Sequence, residues 1–434
     1  MKQSIWQDAL ADVPERGPLI GERKTDVLVV GGGMAGLLTA YMLKKKGIDC
    51  LLLEAGRVCS GNTGRTTAKI TAQHGLVYAK LIREYGAIAA RRFYEANMAA
   101  IEAYRTLAEK IPCDCEEKTA YVYSTDDRDA LEKEAAAYVR LKIPHRWREN
   151  PPLPVRSVGA LGMPGQAQFH PLKLVRGLLP ELDYHENTFV TDIEGHRAVT
   201  RDGAVTAEHI VLATHYPMVN VPGLYFLKLH QSRSYVLALQ GGPDVDGMYI
   251  DEQDGGLSLR NYGDTLLLGG GGHRTGKRGG DFAQLRAVAQ NAYPDAAIRF
   301  TWAAQDCMSL DGMPYIGAHR KGAPYLHVAT GFNKWGMTGS MLAATMLAEQ
   351  IETGTSPLAG LLWPRRSMLH PALFSNIGTA ALHLLKPGRR CSHLGCALHW
   401  NESEQSWDCP CHGSRFDCRG RLTDNPAKRG ISIE

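Results

Sequence analysis

Asp26 to Glu54 reads DVLVVGGGMAGLLTAYMLKKKGIDCLLLE, and no other stretch restricts the fold as strongly. DVLVV is a short, β-branched apolar run of the kind buried in a parallel sheet. Gly31, Gly33 and Gly36 form G-x-G-x-x-G. Apolar residues then recur at helical spacing from Met34 to Lys46 and stop at Gly47, and CLLLE makes a second buried strand ending in Glu54. The first glycine permits the tight turn, the second lets backbone approach a diphosphate, and the third lets helix pack on strand. The diphosphate sits at the positive end of the helix and the acid about 20 residues on binds a ribose hydroxyl. With strand, helix, strand and acid all in register, the segment predicts a Rossmann-like dinucleotide site.

Beyond the second strand lies a polar loop of small side chains, SGNTGRTTAKITAQHG from Ser60 to Gly75, suited to run along an extended cofactor. Here the sequence resembles the D-amino-acid oxidase-like family of FAD-dependent oxidoreductases, over most of Thr25 to Arg366. Three further stretches carry the likeness: EHIVLATHYP (Glu208 to Pro217), Trp302 with SLDGMPYIG (Ser309 to Gly317), and HVATGFNKWGMTGSMLAATMLAEQI (His327 to Ile351). The resemblance implies FAD contacts from Gly31, Gly33, Met34, Ala35, Gly36, Glu54 and Ala55. It extends them to Thr63, Thr66, Thr67, Ala68, Val190, Ala213, Thr214, Gly312, Gly331, Trp335, Gly336 and Met337. It also implies hydride transfer from a small amine or amino acid. His74, Arg260, His273 and Trp335 are the polar or aromatic candidates for the substrate cleft, each with a structural role as its alternative. No general base is assignable from the sequence.

The tail raises a different question. Five of the ten cysteines fall between Cys391 and Cys418, and in a cytosolic protein such a cluster reads as metal binding before disulfides. Cys391 and His393 form C-x-H, Cys409 and His412 form C-x-x-H, and fifteen residues separate His393 from Cys409. Zinc accepts Cys₂His₂. A Rieske [2Fe–2S] centre takes the same set with both imidazoles on one iron. Zinc sites tend to keep like ligands together, whereas each half here pairs one Cys with one His. CSHLGC and CPCHGS resemble the Rieske signature, and on that resemblance Cys391, His393, Cys409 and His412 are the ligands and Cys396–Cys411 a disulfide between the cluster loops. Only about 25 residues separate Arg366 from Cys391, so the supporting sheet of a Rieske domain looks cut short.

The expected architecture is α/β (α+β). It has a Rossmann-like FAD-binding domain (residues 1–75, 155–225 and 300–365), an inserted β-sheet substrate domain (76–154 and 226–299), a linker (366–388) and a small all-β Rieske-like domain (389–434). Cys113-Asp114-Cys115 is read as a strand start rather than a redox pair. Lys and Arg are scattered at a net charge of +4, which speaks against nucleic acid. The first residues lack a signal-peptide pattern and no apolar run approaches the roughly 18 residues of a span, so a cytoplasmic location is expected. The whole resembles bacterial flavoproteins with a C-terminal Rieske domain. The function this implies is a dehydrogenase that passes electrons from FAD through the [2Fe–2S] cluster to a soluble or membrane-associated acceptor. The alternatives are an O₂-using oxidase with a vestigial tail and a redox-sensing docking tail.

Overall fold

The computed structural model describes residues 4–433; residues 1–3 and 434, the outer ends of the first and last expected domains, lie outside it. Gly21–Val30 is the central strand of the first sheet. It lies parallel to Cys50–Leu53 on one side and to Gly203–Leu212 on the other. Asp183–His185 and Leu326–Thr330 extend the parallel array, and Tyr315–Ala318 closes one edge antiparallel. The inner halves of these strands are buried on both faces, as continuous β-branched and leucine runs require. The helices Met34–Lys45 and Gly336–Thr353 cover one face and pack on each other. Both are buried over most of their surface and are correspondingly apolar all round.

The second sheet runs in the order 297–309, 229–240, 265–274, 258–262, 248–251, 116–124, 159–168, 69–70. Ala297–Ser309 pairs along the whole of Leu229–Gln240, and Gly159–Gln168 pairs with Glu116–Ser124 and Lys69–Ile70, so all of these strands belong to the second sheet rather than to the parallel one. The alternating burial of Ala297–Ser309 suits a sheet with one face covered. Cys113 and Cys115 sit just ahead of the Glu116–Ser124 strand as unpaired thiols. The long helix Tyr78–Ala108 is broken at Gly86 and buries Phe93, Tyr94, Ile101 and Tyr104.

The tail forms a four-stranded antiparallel meander of three-residue strands: His399–Asn401, Ser406–Asp408, Arg415–Asp417 and Leu422–Asp424. Its small core is Cys391, Cys396, Cys409, Cys411, Phe416 and Ala427. The shortened sheet is compensated from outside, because the tail is built onto the substrate-side sheet. Buried Gln231 donates to the carbonyls of His412 (2.9 Å) and Asn425 (2.8 Å), and Gln305 donates to that of Gly413 (2.9 Å). Arg274 donates to the carbonyls of Pro410 and Cys411. At Gly413 a Cβ would stand 2.5 Å from that of Gln231, so glycine permits this close approach. Across the same seam Glu404 pairs with Arg233, and within the tail Arg415 pairs with Glu404, Asp408 and Asp424. The expected linker is in large part a helix, Pro371–Leu385.

Candidate functional site

A cavity of about 910 Å³ opens between the two large sheets. Gly31, Gly33, Met34 and Ala35 line one end together with Glu54, Ala55, Thr63, Val190, Ala213 and Thr214. Gly33, at the start of the Met34–Lys45 helix, supplies no side-chain cap, so apart from the Met34 N–H, first-turn N–H groups are left for an anion. Thr63 Oγ1 accepts from the Met34 N–H at 2.9 Å. The Glu54 carboxylate accepts from the N–H groups of Gly32 (2.6 Å) and Gly56 (2.9 Å), which anchors it beside the turn. Gly36 faces away from the cavity: a Cβ there would stand 1.9 Å from the Gly31 carbonyl oxygen, so it serves helix–strand contact. An uncapped helix start, a fixed carboxylate and a long cleft are what a dinucleotide needs, and these residues fit FAD.

At the other end the wall is made by Thr66, Thr67, Trp335, Gly336 and Met337, the last three opening the uncapped Gly336–Thr353 helix. Ala68, Gly312 and Gly331 do not line the cavity. His74 does. It stacks on Trp335 with ring centroids 5.0 Å apart, donates to the Thr71 carbonyl (2.8 Å), and is pulled down to about 4 by burial, hence neutral. Two of the four expected cleft residues fall elsewhere. Arg260 is enclosed behind the wall, over the Trp6 ring and within 3.5 Å of the Phe169 carbonyl. His273 does not line the cavity; it stacks on the cavity-lining Tyr235 and bonds the Gly271 carbonyl.

The structure adds residues that sequence reasoning passed over. Half-buried Lys69 lines the cavity; desolvation, reinforced by the Arg260 charge, pulls its ammonium down to about 7, and it donates to Ser258 Oγ at 2.5 Å. It is the single charged residue between Thr66 and Gln73, a signal that was available. His215, Tyr216 and Asp306 also line the wall, as does the tail segment Leu422–Lys428. Nothing in the linear sequence marks that last contribution.

In the tail, His393 and His412 stand edge-to-face with centroids 5.0 Å apart. The Nδ1 atoms of both are buried and have no hydrogen-bond partner. Their far sides are held: His412 Nε2 meets the Phe226 carbonyl at 3.0 Å and His393 Nε2 meets the Asn220 amide at 2.7 Å. Burial pulls His393 down to about 3 and His412 to about 4, so both are neutral, the form a metal ligand takes. Cys391 and Cys409 are buried in the same core. Paired, fixed imidazoles with free Nδ1 atoms next to two buried thiols fit a [2Fe–2S] centre. The sulfurs of Cys396, Cys409 and Cys411 lie within 4.8 Å of one another, but all ten cysteines are unpaired, so the Cys396–Cys411 disulfide implied by resemblance is not closed. Tyr216 joins the two sites: fully buried, it lines the cavity and lies 6.4 Å from the His393 ring and 6.3 Å from that of His412.

Residues 26–350 match the FAD dependent oxidoreductase family and residues 386–433 match the Rieske [2Fe-2S] domain. The chain is 34% identical to the Bacillus subtilis protein YhfW, which is named for a Rieske 2Fe-2S iron-sulfur protein, over 98% of this chain and 96% of that one. The cluster region is 46% identical over 43 residues to cytochrome b6-f complex iron-sulfur subunit 2 of Trichormus variabilis, covering 10% of this chain and 24% of that subunit. Among solved structures, glycine oxidase from Geobacillus kaustophilus superposes with a TM-score of 0.67 at 21% identity, covering 80% of this chain and all of that one. L-proline dehydrogenase from P. horikoshii gives 0.66 at 17%, covering 80% and 98%. At those identities the likeness is one of fold. No helix among the described residues is long and apolar enough to cross a membrane.

Proposed function

Because the chain belongs to the FAD-dependent oxidoreductase family and carries a Rieske domain, we propose that it is a dehydrogenase of small amines or amino acids whose electrons leave through the tail to a separate acceptor. The observation that carries this reading is the shared wall. Tyr216 and the tail segment Leu422–Lys428 line the same cavity as Thr66, Lys69 and Trp335, and Tyr216 also touches both cluster histidines. A vestigial tail has no reason to be built into the substrate cavity or to keep two imidazoles fixed and neutral.

The bound groups supply hydride acceptance, from FAD, and one-electron acceptance, from the cluster. Gly33, Met34 and Ala35 present the helix start to the diphosphate, and Glu54 stands where a ribose hydroxyl is recognised. The uncapped start of the Gly336–Thr353 helix favours negative charge at the opposite end of the cavity. Hydride loss requires a neutral substrate amine. Lys69, held at about 7, is the cavity group suited to take the amine's proton. Trp335 and neutral His74 give an apolar stacked wall that excludes water from that exchange. The glycine oxidase and L-proline dehydrogenase likenesses agree with a small amine or amino acid.

Anaerobic titration with a panel of amines and amino acids, watched by absorbance and EPR together, tests the proposal. The expected result is bleaching of flavin absorbance followed by a reduced-Rieske signal. Anaerobically purified protein lacking a cluster would sink it.

A further inference from the structure

The Pro371–Leu385 helix is attached by the wrong side. Its inward stripe is Leu373, Asn376 and Thr379, two of them polar. Asn376 accepts from Arg274 (2.8 Å) and donates to the Leu227 carbonyl (3.0 Å), while Thr379 Oγ1 accepts from Lys277 (3.3 Å). The opposite side, which should be polar, carries Phe374 (70% exposed), Ile377 (44%), Leu382 (53%) and Leu385 (86%), continued by Leu369 (85%) before the helix. A helix that hydrogen-bonds inward and turns its large apolar side chains outward has a non-aqueous neighbour.

Charge identifies that neighbour. From Thr353 to Asn401 the chain contains no Asp or Glu, yet it contains Arg365, Arg366, Lys386, Arg389 and Arg390. Arg366 is consumed internally by Asp311, whereas Arg365, Lys386 and Arg390 are exposed. Beside the end of the helix, Arg389, Arg390 and Arg429 line one shallow cleft with Ser392, a setting for a phosphate. At 15 residues the helix is about 22 Å long, short of the roughly 30 Å hydrocarbon core. We infer that this helix lies on an anionic lipid bilayer, with its apolar side in the headgroup boundary and its basic flank against lipid phosphates. The first ligand loop, Cys391 to Cys396, is held beside the end of the helix, since the Ala397 N–H donates to the His383 carbonyl at 2.7 Å and Arg390 donates to the carbonyls of Leu384 and Gly395. The inference stands independently of the redox chemistry proposed above.

Co-sedimentation of full-length holoprotein with phosphatidylglycerol-containing vesicles tests it, against pure phosphatidylcholine vesicles, with flavin absorbance as the fold control. The wild type is expected to bind the anionic vesicles and to be released by salt. Phe374→Glu with Ile377→Glu should abolish binding, as should Leu385→Glu alone. Lys386→Gln with Arg429→Gln should weaken binding about 25-fold, about fivefold for each charge. No binding by the wild type, undiminished binding by the glutamate variants, or a solution dimer that Phe374→Glu with Ile377→Glu makes monomeric would each overturn the inference; the last would mean that a second copy covers this face.

Discussion

Replacing Glu404 by Gln interrogates the seam between the tail and the rest of the protein. Glu404 meets Arg233 through both carboxylate oxygens, one at 2.7 Å to Nε, and lies 3.3 Å from Arg415. Burial alone would push its carboxyl up, but the two guanidiniums overcome this and hold it at about 2 against an ordinary 4.5. That fall corresponds to about 3 kcal/mol, in line with the roughly 3–5 kcal/mol for breaking a buried ion pair. The neutral amide also leaves Arg233, whose side chain is 3% exposed, without a carboxylate partner. If docking of residues 386–433 is a local opening equilibrium, the Arg233 share of that figure, at most about 3 kcal/mol because the Arg415 pair stays within the tail, enlarges the open population up to about a hundredfold. Limited proteolysis, in the regime where cleavage tracks that population, should show a matching rise in cutting within the tail. The wild-type contribution is complete above pH 4.5 and drains away as pH falls toward about 2. Glu404→Gln should therefore have lost that acid limb. Unchanged cleavage with the wild-type acid profile would refute the reasoning.

Two other substitutions probe the cavity. A lysine held at about 7 is neutral above that pH, so the rate of flavin reduction should rise as pH passes upward through about 7. In Lys69→Met that limb should disappear and the rate fall about a hundredfold; stopped-flow absorbance across pH reads this, and an intact limb would remove Lys69 from the role. Gly36→Ala puts a Cβ 1.9 Å from a backbone carbonyl, and purified protein should contain little or no FAD by absorbance, whereas full stoichiometry would show that helix and strand can separate without loss.

The nucleotide-binding half was legible because its determinants are local. One strand, one turn and one helix within Asp26–Glu54 carry the glycine spacing, and Gly203–Leu212 and Leu326–Thr330 contain the buried apolar stretches Ile210–Leu212 and Val328–Ala329 that suit a doubly covered parallel sheet. The ligand pattern in the tail was legible for the same reason. Long-range relations were not. Arg260 reads as a cleft residue because charge in a strand is conspicuous, but its depth behind Lys69 depends on Trp6, far away in sequence. His273 was misdirected by the glycine run before it, where a register shift against Arg233–Tyr235 and the positive φ of Gly271 interrupt the strand's regular alternation. The tail looked unsupported because its support, Gln231, Arg274 and Gln305, is scattered through a different domain as ordinary polar residues.

The contribution of Leu422–Lys428 to the cavity wall has a consequence for the order of events in making this protein. Gly31 and Lys428 face the same space although they are roughly four hundred residues apart along the chain, and contacts of such separation form late. The vessel for the flavin is thus open on one side until the iron–sulfur module has folded and seated itself. Completion of the cavity wall is in this way conditional on the folding of the tail, and a polypeptide whose last residues have not yet docked does not present a finished pocket.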